Sequence, residues 1–172
     1  MKPSDAQFQY GFRPVTRADL PLLGRWLAEP HVRKWWAEPA KALQSIESHI
    51  DSISVEPFIV ELDGKPIGYI QSYDPHLEDA HPYQDQPTGT LGIDQFIGEA
   101  ALIGKGHGTR LIEAFVEQLF EEGAIRVIID PDPANAAAIR AYEKAGFERF
   151  DTRHSKYGPA LMLARNADGD FA

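Results

Sequence analysis

The segment Gly104-Lys105-Gly106-His107-Gly108-Thr109 sets a glycine at every second position between two patterned stretches. Before it, Leu91 to Ile97 reads as an apolar strand. After it, Leu111, Ile112, Phe115, Val116, Leu119 and Phe120 share one helix face, closed by Gly123. A strand, a tight turn and an amphipathic helix in that order commit the chain to a layered α/β arrangement. The glycines let the backbone turn sharply and leave its N–H groups unobstructed. The helix adds first-turn N–H groups and the positive end of its dipole. Together these suit a phosphate or pyrophosphate. Two common nucleotide loops fail on spacing. A Walker loop needs Ser or Thr after its Gly-Lys, where Gly106 stands here, and a dinucleotide fingerprint from Gly104 needs glycine at Thr109. A glycine-rich loop without a ligand is the other reading.

The remaining segments follow the same two periods. Phe8, Tyr10 and Phe12 alternate as a first strand. Thr16-Arg17-Ala18-Asp19 resembles a capping box with Asp in place of Glu. Leu20, Leu23, Trp26 and Leu27 follow at helical spacing, which Pro30 ends. Leu43, Ile46, Ile50 and Ile53 mark a second helix. Pro57 to Leu62 and Pro66 to Tyr73 read as strands joined by the hairpin signal Asp63-Gly64. Asp74 to Thr90 has no period and reads as a long loop, a type that is commonly functional or disordered. Arg126 to Asp130 reads as a buried strand and Asn135 to Ala145 as a helix capped by Gly146. Phe147 to Thr152 and Ala160 to Ala164 read as closing strands. The predicted order is β-α-α-β-β-β-α-β-α-β-β, a mixed-sheet α/β (α+β) domain.

With 172 residues the chain is expected to form one domain, 1–172, with a core at about 8–165 and a polar tail at 166–172. It has no cysteine, so disulfides, thiolate nucleophiles and zinc–thiolate sites are excluded, and no metal site is expected. The polar start Met1 to Gln7 predicts no signal peptide, and no stretch is long and apolar enough for a membrane span. A cytoplasmic protein, monomer or homodimer, is expected. Seventeen basic residues against 26 acidic ones give a net charge of -9. Such a surface repels nucleic acid and anionic membranes and attracts cations, or it serves solubility alone.

A second block sharpens the glycine turn. Asp130-Pro131-Asp132-Pro133-Ala134-Asn135 leads into Ala138-Ile139-Arg140-Ala141-Tyr142-Glu143-Lys144-Ala145-Gly146-Phe147. With the turn, this run resembles the GNAT superfamily of acyl-CoA-dependent N-acetyltransferases, and the element order matches across nearly the whole chain. The resemblance implies acetyl-CoA as donor and a central sheet splayed between the fourth and fifth strands. It implies that the backbone of the Leu91–Ile97 strand, at Phe96 and Ile97, bonds the pantetheine arm. It implies that N–H groups of Ile103, Gly104, Lys105, Gly106, His107, Gly108 and Thr109 hold the pyrophosphate. Tyr142 would protonate the departing thiolate, or else pack on the sheet. Asn135 either bonds the cofactor or caps its helix. Ile103 stands where the family's turn often carries Gln or Arg.

A narrower similarity is to aminoglycoside 6′-N-acetyltransferases. It rests on Trp35-Trp36, Gly68-Tyr69-Ile70-Gln71-Ser72-Tyr73, Gly92-Ile93-Asp94-Gln95, the glycine turn and Asp130-Pro131-Asp132-Pro133, in that order. It implies that Asp94 takes the proton of the reacting amine, directly or through water, unless it is a structural aspartate. Asp130 would bind a substrate ammonium or else serve as a strand-end turn residue. Trp36 would wall the acceptor site or pack its helix end. A polyammonium acceptor needs carboxylates and flat walls. Candidates for these are Tyr73, Glu78, Asp79, Tyr83, Asp85 and Gln95. The loop here reads His81-Pro82-Tyr83-Gln84-Asp85 where the resistance enzymes are rich in Trp and Glu, and Lys156-Tyr157-Gly158-Pro159 replaces an acidic residue before Gly-Pro. Other acceptors stay open: a polyamine, a hydroxylysine-type siderophore precursor or a peptide N-terminus. So does a non-catalytic acyl-CoA-binding domain.

Overall fold

In the computed structural model, which describes residues 8–155 and 158–168, the strands are β1 (Tyr10–Pro14), β2 (Val55–Leu62), β3 (Lys65–Tyr73), β4 (Thr90–Ile97), β5 (Arg126–Ile129), β6 (Glu148–Ser155) and β7 (Gly158–Asn166). The helices are α1 (Leu20–Leu27), α2 (Pro30–Trp36), α3 (Pro39–His49), α4 (His107–Glu121) and α5 (Ala136–Lys144). The strands form one mixed sheet in the order β1-β2-β3-β4-β5-β7-β6. Its parallel pair is β4–β5, with Thr90↔Arg126, Leu91↔Val127 and Gly92↔Ile128 as partners. β4 runs on to Ile97, past the last of these pairs. Lys156, Tyr157 and the tail from 169 onward lie outside the described residues, as does the polar start at 1–7.

The chain divides into two compact units, and β3 and β4 contribute to both. The first holds the described residues of Met1–Gln71 together with Gln95–Lys105. β1 and β2 pair antiparallel there, from Tyr10↔Leu62 to Pro14↔Phe58. Leu23, Trp26 and Leu27 of α1, Val32 of α2 and Ile46 of α3 pack with Ile59, Tyr69 and Phe96. The capping box forms: the Thr16 amide donates to Asp19 Oδ2 at 2.8 Å, and Arg13 adds a two-pronged pair to the same carboxylate, both bonds at 3.0 Å. Two readings from periodicity need correction. Pro30 does not only end a helix; it opens α2, because proline lacks the N–H that a first helical turn leaves unbonded. Ile53 is not on a helix face. α3 ends at His49, and Ile53 is 87% exposed beyond it.

Burial alone would raise the Asp19 carboxyl, but the bonds from Arg13 and the Thr16 amide hold it below its ordinary range. A carboxyl lowered by folding adds stability above the unfolded pKa and loses it as pH falls through the folded one. Asp19→Ala is therefore expected to cost about 2 kcal/mol near neutral pH, the worth of hydrogen bonds to a charged group. Urea unfolding of both proteins at about pH 7 and about pH 3 checks this, since the deficit should shrink at the lower pH.

The second unit holds Ser72–Asp94 and the described residues of Gly106–Ala172. Ile112, Phe115, Val116 and Leu119 of α4 are buried, as are Val127, Ile128 and Ile129 of β5 and Met162 and Leu163 of β7. β7 pairs antiparallel with β5 on one side and with β6 on the other. β6 closes the sheet as an exposed, charged edge, a composition that discourages further strand pairing. The segment between β3 and β4 is a loop, as its lack of period predicts. It is nevertheless braced from inside: Gln84 Nε2 donates to the carbonyls of Pro75 at 3.1 Å and Glu78 at 2.6 Å.

Candidate functional site

The glycine turn has the backbone its composition predicts. Gly104 and Gly106 sit at φ +77° and +83°, a left-handed conformation that side chains resist. Gly106 is the residue before α4, so the first-turn N–H groups of that helix open onto the turn. A Cβ on Gly104 would meet no atom within 4 Å, so the turn is open on that side. A Cβ on Gly106 would stand 2.7 Å from Arg110 Nη1, which places a guanidinium at the turn that the sequence reading missed. Two other members face α5. Thr109 Oγ1 donates to the Ala141 carbonyl at 3.2 Å, and Gly108 lets the helices approach, its notional Cβ 3.9 Å from that of Ala141. His107 is buried, whereas Ile103 and Lys105 are exposed. What the turn offers a ligand is backbone donors and a nearby cation, which fits a pyrophosphate.

α5 carries the second block. Asn135 Oδ1 accepts from the Ala138 amide at 3.3 Å, so its side chain caps the helix. Tyr142 is buried, with its ring centroid 6.4 Å from that of Phe147.

The acidic cluster forms around two tyrosines in the second unit. Tyr73, at the end of β3, lies across β4: a Cβ on Gly92 would stand 2.0 Å from Tyr73 Cζ, so only glycine fits there. Asp94 lies two residues further along β4 and therefore on the same sheet face as Gly92. From the loop, Tyr83 donates its hydroxyl to Asp130 Oδ2 at 2.5 Å. His81 sits between the tyrosines, its ring centroid 5.4 Å from Tyr73 and 5.1 Å from Tyr83. Its Nδ1 accepts from the Tyr83 amide at 3.0 Å, and its Nε2 lies 3.4 Å from Glu78 Oε2.

The electrostatics follow. Burial pushes the Tyr73 hydroxyl well above its ordinary value, and the charges of Asp130, Asp94 and Glu78 add to this. Tyr83 is raised by burial, by Asp130 and by Asp94. Burial also raises Asp130, against the opposing pull of the Tyr83 hydroxyl and His81. Two phenols held neutral beside the carboxylates of Asp130, Asp94 and Glu78 make a place that suits a cation.

The predicted acceptor residues do not all join this cluster. Asp79 is exposed on the loop. Asp85 is held by Arg153 of β6 through bonds of 3.1 and 2.6 Å. In the first unit, Trp36 packs edge-on against Tyr69 at 6.0 Å and Phe96 at 5.0 Å. Phe96 also stacks on Tyr69 at 5.6 Å. Gln95 is half-buried. The Ile97 carbonyl is bonded to His31 Nε2 at 2.8 Å.

Residues 15–154 match the acetyltransferase (GNAT) domain family. The chain belongs to the GNAT acetyltransferase family. The span matched by this family includes every candidate residue from Trp36 to Tyr142, and Arg153 as well. The GNAT chain is 40% identical over 163 residues to aminoglycoside N(6′)-acetyltransferase type 1 of Klebsiella pneumoniae, covering 89% of this chain and 81% of that protein. Its fold superposes on aminoglycoside acetyltransferase AAC(6′)-Ib in complex with coenzyme A and kanamycin, with a TM-score of 0.83, 39% identity and coverage of 92% and 95%. A structure of the same enzyme with paromomycin and acetyl-CoA gives a TM-score of 0.83 at 38% identity, covering 92% of this chain and 93% of that one.

Proposed function

We propose that this GNAT domain, residues 1–172 acting as one enzyme, transfers the acetyl group of acetyl-CoA to a primary amine of a cationic small molecule, the 6′-amine of an aminoglycoside, by direct transfer in a ternary complex. The observation that carries the acceptor reading is the carboxylate set of Asp94, Asp130 and Glu78 acting on the buried Tyr73. The similarity to aminoglycoside N(6′)-acetyltransferase type 1 supports the same acceptor.

Acetyl-CoA supplies the acyl group as an activated thioester. Backbone N–H groups from Ile103 to Thr109 hold its pyrophosphate, with Arg110 and Lys105 adding charge. Backbone groups of Phe96 and Ile97 bond the pantetheine arm. Asn135, whose oxygen is used in its cap, has its amide nitrogen left to offer. Asp130 and Glu78 hold acceptor ammonium groups, with Tyr73 and Tyr83 as flat walls; Asp79 acts from the loop, whereas Asp85 is already paired with Arg153. Asp94 accepts the proton that the reacting ammonium must lose before its nitrogen can attack. Tyr142 gives its proton to the leaving sulfur as the C–S bond breaks; a thiol near about 8.5 and a phenol near about 10 lie close enough for a placed phenol to donate. No helix among the described residues is long and apolar enough to cross a membrane, and we place the enzyme in the cytoplasm as a monomer or homodimer.

Thermal unfolding with added CoA tests the donor half. At 100 times the dissociation constant, CoA should add about 2.7 kcal/mol of stability. No shift at saturation would contradict the reading. For the acceptor half, CoA release is measured with kanamycin, spermidine, hydroxylysine and a peptide, and kanamycin should be preferred.

A further inference from the structure

Arg153 of β6 makes four hydrogen bonds with one guanidinium. Nη1 donates to Asp85 Oδ1 at 3.1 Å and to the Pro82 carbonyl at 3.2 Å. Nη2 donates to Asp85 Oδ2 at 2.6 Å, and Nε to Asp151 Oδ2 at 2.9 Å. The fork thus grips the loop on both sides of Tyr83, and the guanidinium carbon lies 5.4 Å from the centre of that ring. Only 22% of the Arg153 side chain is exposed. Tyr83 points its hydroxyl to Asp130, 47 residues away in sequence. A contact chain therefore runs from β6 through the loop to the carboxylate at the end of β5.

Each link has a physical consequence. The fork pairs with Asp85 and Asp151 and holds both carboxyls below their ordinary range. An acceptor cation then finds those two acids already neutralised, and its ammonium groups are directed to Asp130 and Asp94. The grip on Pro82 and Asp85 fixes the backbone that aims Tyr83. The Tyr83 hydroxyl in turn favours the ionised form of a carboxyl that burial would raise. A lysine could supply the charge but not the planar fork that reaches Asp85 and Pro82 together.

We propose that Arg153 is a positioning residue for acceptor binding: it clasps the loop onto β6 and, through Tyr83, holds Asp130 ready for an ammonium group. This rests on the reading of Asp130 as an acceptor anchor. Arg153→Met is expected to raise the acceptor KM about fivefold or more while the acetyl-CoA KM stays within about twofold of wild type. Asp85→Asn, which keeps the arginine and breaks the fork, should do the same. The Arg153→Met, Tyr83→Phe double variant should be no worse than the worse single one, because both act through the same hydroxyl. A readout without acceptor accompanies these. Glu-C protease cutting after Glu78 should speed up in Arg153→Met and Asp85→Asn, since the loop loses its clasp. Additive KM effects, an equal rise in the acetyl-CoA KM, or unchanged Glu-C cleavage would each overturn the proposal. If wild type acetylates no amine, the acceptor reading has failed, and Glu-C cleavage still decides whether Arg153 clasps the loop.

Discussion

Asp94→Asn is expected to lower kcat by about 100- to 10,000-fold near pH 6, the range for loss of a placed proton acceptor. Asp94 sits half-buried on β4, and its charge raises the hydroxyls of both Tyr73 and Tyr83. The same field that attracts an ammonium keeps it protonated, so an amine held there has no lone pair to attack with. Asparagine keeps the shape but cannot take the proton. The variant's residual rate is then carried by the neutral fraction of the amine, which grows about tenfold per pH unit below the amine's own pKa. The defect should therefore be largest at low pH and narrow as pH rises. A pH-independent defect, or a wild-type rate, would remove Asp94 from this role.

Tyr142→Phe is expected to lower kcat by about 100-fold with little change in CoA affinity. The ring is buried and packs near Phe147, so removing only the hydroxyl leaves the packing in place. If that hydroxyl donates to the leaving sulfur, the loss should depend on the leaving group. An acyl donor whose thiol is more acidic needs less help, and the variant should approach wild type with it. An equal defect with good and poor leaving groups would assign Tyr142 to packing.

The parts of this molecule that could be read from sequence are those set by near neighbours. The capping box spans Thr16 to Asp19, the hairpin turn is Asp63-Gly64, and the glycine turn needs only its own spacing and the apolar face of α4. Gly106 at positive φ before that helix follows from local sterics. Pro30 does close the α1 pattern, but the helix it opens is hidden because proline stops one helix and starts another with the same chemistry, and the packing of Val32 into the core is what reveals it. The acceptor region was legible as a composition, a run of acids and aromatics, but not as an arrangement. Asp85 reads as one more loop acid, and its pair with Arg153, 68 residues away, leaves no local trace. Tyr83 and Asp130 carry no mutual signal across their 47 residues. Arg153 lies on a strand that sequence ended at Thr152, and its register against β7, Arg153↔Ala160, is set by long-range pairing. No local pattern announces a residue whose partners all come from other elements.

Steady-state CoA release with kanamycin at saturating acetyl-CoA tests the central claim most directly. The account predicts turnover that requires both substrates and a single product acetylated on the 6′-amine. Absence of turnover with kanamycin and every other aminoglycoside, in a protein that still gains stability from CoA, would contradict it.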